Sequence, residues 1–74
     1  MRRIIRVDDE RNIVESMWEH AMRVKVVIHP AEEGGFWAEI PALPGCVSEG
    51  ETLDETIQNI RAAADGWLEV AMAR

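Results

Sequence analysis

The chain is predicted to be an α+β domain in which a small antiparallel sheet carries one long helix. Three observations predict it. Apolar residues alternate through Val24, Val26 and Ile28 and again through Phe36, Ala38 and Ile40, the period of half-buried strands. The run Thr52-Leu-Asp-Glu55 has the form of a capping box. Beyond it Leu53, Ile57, Ile60, Ala64, Trp67, Leu68 and Ala71 recur at three and four residues, one apolar stripe on a helix of about five turns.

Taken in order, residues 1–6 are β-branched and basic, and suit either an edge strand or a loose arm. From Asp8 or Asp9 as a cap, with Glu10 in the first turn, Ile13, Val14, Met17, Trp18, Ala21 and Met22 fall on one stripe. That spacing predicts an N-terminal helix, with Arg11, Glu15 and Glu19 on its wet side. Near Met22 the period changes to two and β-branched residues dominate, so a first strand runs to Pro30, which cannot donate a ladder hydrogen bond.

The connection 31–35, with Gly34 and Gly35, is of hairpin length and leads to a second strand. There Phe36, Ala38 and Ile40 share one face and Trp37 and Glu39 the other. Pro44-Gly45 suits the central positions of a type II turn, which directs Leu43 inward, and 46–48 is long enough for a short third strand. In the capping box the Thr52 hydroxyl accepts from the Glu55 amide while the Glu55 carboxylate reaches back. Gly66 inside the long helix costs roughly 1 kcal/mol relative to Ala, so it implies close packing or a bend.

The expectation is one domain over 1–74: an arm and helix over 1–21, then a β-β-β-α core over 22–74. At 74 residues such a core leaves a thin margin of stability, so a homodimer or larger homo-oligomer is expected. With 47% hydrophobic and 30% charged residues the chain is too apolar to stay disordered. A net charge of −6 disfavours direct binding to nucleic-acid phosphates and favours a basic protein partner. The single cysteine, Cys46, excludes an internal disulfide and reads as a small buried residue. No segment resembles a signal peptide or a membrane span, which makes a cytoplasmic protein the default and gives no reason to expect a membrane partner.

No phosphate cradle, CxxC pair or HExxH pattern is present, and no cofactor or metal site is indicated. A metal-dependent nuclease would need several acids converging from central strands, where only Glu39 is offered. His20 and His29 flank the first strand and read as structural or solvent-facing. Glu49, Glu51, Asp54 and Glu55 gather around the helix start, to complement its dipole, to meet a basic partner or, the weakest of the three readings, to hold a divalent metal. Trp18 and Trp67 read as core or dimer contacts. Trp37 lies either beneath the N-terminal helix or exposed as an interface anchor.

Gly35, Phe36, Pro41, Leu43, Pro44, Gly45, Cys46, Gly50, Thr52, Leu53 and Glu55 together resemble the signature of the HicB-like antitoxin family, a Gly-aromatic strand, P-x-L-P-G-C, and G-x-T-L-x-E before a long helix. Thr56 departs from the alanine common there. The resemblance implies a partial RNase H-like fold without nuclease function, and a protein that neutralises a small basic HicA-type RNase toxin by covering its active site. Many members add a C-terminal DNA-binding domain after the helix. None follows Arg74, so direct DNA binding by this chain is not expected. The partner contacts expected from exposure and charge are Trp37, Glu39, Glu49, Glu51 and Glu55. The rival reading is a stand-alone structural or regulatory homo-oligomer of the same fold.

Overall fold

Strand pairing begins earlier in this chain than its apolar spacing suggests. The computed structural model describes residues 4–7, as backbone, and residues 12–19 and 21–73. Among them the order is β1 (Ile4–Val7), β2 (Ile13–Glu19), β3 (Met22–Pro30), β4 (Phe36–Glu39), β5 (Val47–Gly50) and α1 (Leu53–Met72). The strands form one antiparallel sheet in the order β1-β2-β3-β4-β5, each paired with its neighbour in sequence. The α+β class and the long C-terminal helix are as expected. The sheet has five strands among the described residues, not three.

Among the described residues no N-terminal helix is present: residues 13–19 form β2, paired with β3 from Ile13↔Ile28 to Glu19↔Met22, while the expected cap at Asp8 or Asp9 and Glu10 lie outside the described residues. Ile13, Val14, Met17 and Trp18 satisfy a helical period, but as a strand they distribute over both faces, with Ile13 and Met17 beneath α1. The β-branched pair Ile13-Val14 favours a strand once β3 offers a ladder, and pairing overrides the local period. Glu15, expected in water, is 1% exposed on the helix-covered face. Of the alternatives for the first residues, the strand is correct for 4–7, which pair with 13–16. Arg11 and His20 lie outside the described residues.

The core lies between the sheet and α1. Val24, Val26 and Ile28 of β3 and Ala38 of β4 point at Ile60, Ala64 and Leu68 of α1, with Ile40, Leu43 and Cys46 closing one end. Fully burying a side chain such as Ile28, Ile40 or Ile60 contributes roughly 1.5–3 kcal/mol. Thr56 is also fully buried, and its hydroxyl donates to the Thr52 carbonyl at 2.8 Å, so this polar group is satisfied inside the helix.

The loop after β4 is built as expected. Gly45 has φ +84°, and the Cys46 amide donates to the Leu43 carbonyl at 2.9 Å, the geometry of a type II turn centred on Pro44-Gly45. Leu43 is buried beneath it. The Trp67 indole N–H donates to the Pro44 carbonyl at 2.9 Å and fastens α1 to this loop. Gly66 neither packs closely nor breaks α1: a Cβ there would meet no atom within 4 Å.

Candidate functional site

Two surfaces emerge from this frame: of the five expected contact residues Glu51 and Glu55 belong to the first, Trp37 and Glu39 to the second, and Glu49 borders both. The first is a groove at the start of α1. Thr52 caps the helix, its hydroxyl accepting from the Glu55 amide at 3.1 Å. The Glu55 carboxylate reaches back, but to the amide of Glu51 rather than to that of Thr52. Asn59, one turn further on, donates to the Glu49 carbonyl at 2.7 Å and holds the end of β5 against the helix.

Between this corner and the β3–β4 connection lies an open groove of about 630 Å³ lined by Glu32, Glu33, Glu49, Glu51 and Glu55. Among the described residues no lysine or arginine lines it. Sequence reasoning found three of these acids and missed Glu32 and Glu33. The signal lay in two registers, Pro30↔Phe36 in the β3–β4 ladder and Phe36↔Gly50 in the β4–β5 ladder, which together bring the hairpin loop alongside the helix start.

The second surface is the sheet face turned away from α1. Trp37 and Glu39 lie on it, with Glu49 opposite Trp37 on β5 and Val47 opposite Glu39. Trp37 is 39% exposed, so among its two expected placements the exposed one is observed. Its ring stacks on His29, with centroids 4.1 Å apart and planes at 20°. The His29 ring is held from both sides: Nδ1 lies 2.9 Å from Asn12 Oδ1 and Nε2 lies 2.7 Å from Glu39 Oε2. The Glu39 carboxylate is thus engaged by His29, a pairing that sequence reasoning missed because it depends on the register His29↔Trp37.

Trp18 lies on this same face at 50% exposure, beside Arg23 in the β2–β3 ladder. It is therefore not a core residue, while Trp67 packs against the core as expected. Cys46 is buried, and burial pushes its thiol pKa up. Among the described residues no group of three His, Cys, Asp or Glu is placed to hold a metal ion, and no helix is long and apolar enough to cross a membrane.

The family model described as the HicB-like antitoxin of bacterial toxin-antitoxin systems matches residues 24–74, the whole of β4, β5 and α1 and nearly all of β3. The chain belongs to the HicB-like antitoxin family. Similar proteins include UPF0150 protein ssl0259 of Synechocystis sp., 54% identical over 50 residues that make up 68% of each chain. A UPF0150 protein of Archaeoglobus fulgidus is 35% identical over 49 residues, 66% of this chain and 71% of its own. UPF0150 protein Ta0767 of Thermoplasma acidophilum is 38% identical over 48 residues, 65% of this chain and 70% of its own. No solved structure matches. The HicB-like match takes in the acidic groove and leaves β1 and β2, with Trp18 and Asn12, outside it.

Proposed function

We propose that this chain is a cytoplasmic antitoxin that binds a small basic RNase toxin of the HicA type and neutralises it by covering its active site, without itself being an enzyme. The observation that carries the reading is the groove of Glu32, Glu33, Glu49, Glu51 and Glu55 at the mouth of α1. Five carboxylates around one concave surface form a focused negative field that attracts a cationic protein and disfavours RNA. The Glu55 carboxylate is spent on the cap, which leaves Glu32, Glu33, Glu49 and Glu51 to meet lysines and arginines of the toxin. Trp37 and Glu39 border this surface from the sheet face. The chain is also read as a homo-oligomer.

Co-expression with a small basic toxin encoded beside its gene tests the reading. The expected result is rescue of growth and a co-purifying complex, both lost in the double reversal Glu32→Lys, Glu51→Lys. No complex with the wild-type chain, or an undiminished complex with the reversed one, would overturn it.

A further inference from the structure

We infer that the outer edge of β5, with the groove between it and α1, takes up an extended segment of a basic partner protein as an added antiparallel strand. The inference rests on reading the acidic groove as the seat of a cationic partner, and adds the form in which that partner is held. Among the described residues β5 ends the sheet and pairs only with β4. Successive residues of a strand turn their backbone groups to opposite sides. The Cys46 carbonyl faces β4 and accepts from the Ile40 amide at 3.2 Å, whereas the Glu49 carbonyl faces outward and accepts from the Asn59 side chain at 2.7 Å. Val47, in phase with Glu49, therefore presents both its amide and its carbonyl to the outside. These outward groups are the rungs on which an extended peptide can pair.

Beside this edge α1 presents small residues. Ala62, Ala63 and Gly66 lie on the helix side next to β5, and between them and 45–47 runs an open groove of about 680 Å³. Trp67 and Val70 also line it, Val47 and Val70 are each more than half exposed, and no charged residue among those described takes part. Along the same helix side Asn59 and Glu55 lead into the acidic groove, where Glu49 and Glu51 stand at the far end of β5. The edge is thus apolar where β5 begins and acidic where it ends. A strand antiparallel to β5 meets the carboxylates with its N-terminal half and the apolar groove with its C-terminal half. The segment that fits is basic first and then alternately apolar, since every second side chain of an added strand points into the groove. A nucleic-acid strand is a poor occupant, because no lysine or arginine among the described residues lines either groove.

The test titrates the purified full chain into the fluorescein-labelled peptide Lys-Lys-Lys-Thr-Val-Thr-Val-Thr and follows fluorescence anisotropy. Saturable binding is expected with a Kd on the order of 100 µM or tighter, and none up to about 1 mM protein overturns the inference. With the valines in the groove, the threonine amides face the edge of β5. N-methylation of the threonines removes those donors and is expected to weaken binding about tenfold or more, against less than about threefold for N-methylation of the valines. Equal losses from the two sets mean that no strand is added. The reversed peptide Thr-Val-Thr-Val-Thr-Lys-Lys-Lys has the same composition and is expected to bind about tenfold more weakly, so equal affinity would also sink the inference.

Gly66→Leu fills the groove and leaves the strand edge untouched, and the open space at Gly66 lets the variant fold. It should weaken the peptide about tenfold, and unchanged affinity counts against the proposal. Light scattering of the chain without peptide is expected to give the same mass for wild type and Gly66→Leu; a difference would assign the edge to a second copy and overturn the proposal. Glu32→Lys with Glu51→Lys reports on the acidic groove separately. Loss of binding in this reversal together with equal losses from the two methylated sets would leave the cationic partner standing and remove the added strand.

Discussion

The ring of Trp37 rests on the ring of His29 across the β3–β4 ladder, centroids 4.1 Å apart, and the imidazole beneath it is held by Asn12 and Glu39. One side chain therefore ties β3 to β4 and to the residue that leads into β2. His29→Ala removes two hydrogen bonds and an aromatic stack, each contributing about 1 kcal/mol, and is expected to lower stability by about 1–3 kcal/mol. Asn12→Ala removes one bond and should cost less than half as much. Urea unfolding of both variants measures the difference.

Gly50 lies where β5 passes the first turn of α1. A Cβ there would stand 2.7 Å from both the backbone nitrogen and the hydroxyl of Thr56 and 3.0 Å from its Cα. Gly50→Ala is expected to be destabilising by at least about 1–3 kcal/mol, the cost of overpacking. Because backbone atoms take part in the clash, adding Thr56→Ala should not restore the wild-type midpoint. Full recovery in the double variant would show that the hydroxyl alone sets the spacing.

Two positions carry the wrong residue for their backbone and invite exchange. Ala21, in the two-residue link between β2 and β3, has φ +63°, where an L side chain is strained. Gly66 sits mid-helix with open space where a side chain would be. Ala21→Gly and Gly66→Ala are each expected to stabilise by up to about 1 kcal/mol. In a domain of this size that corresponds to roughly 4–8 °C in Tm per kcal/mol, within easy reach of calorimetry.

Cys46 provides a pH handle. Burial raises its thiol pKa in the folded chain, so the unfolded chain loses the proton first as pH rises. The stability associated with the neutral thiol is complete below the unfolded-state pKa and declines as pH climbs through the folded one. Between neutral pH and pH about 10, wild type should lose more unfolding free energy than Cys46→Ala, in which this group is gone. Equal losses would mean that the thiol does not feel its burial.

The chain from Met22 onward is legible because its punctuation is chemical: Pro30, Pro44, Gly45 and Thr52 admit few conformations, and β3, β4, β5 and α1 fall within a few residues of where those signals place them. Residues 13–19 read as a helix and form a strand because Ile13, Val14, Met17 and Trp18 fit two periods, and only the ladder with β3 decides between them. The helical period puts Glu15 in water for the same reason, whereas the strand buries it. Of the acidic groove, the cap residues Glu51 and Glu55 were visible as a local motif. Glu32 and Glu33 were not, since a hairpin loop joins the groove only through tertiary register. The link from His29 to Glu39 is likewise a property of pairing, not of spacing along the chain.

Every strand of this sheet lies beside its predecessor in sequence, from β1 through β5. No strand has to wait for a distant part of the chain to arrive before it can pair. Topologies with contacts this local close short loops, lose little chain entropy at each step, and fold quickly for their stability. The sheet can grow in the order of synthesis, with α1 last to dock and seal its face, so the molecule spends little time with bare strand edges exposed to neighbours.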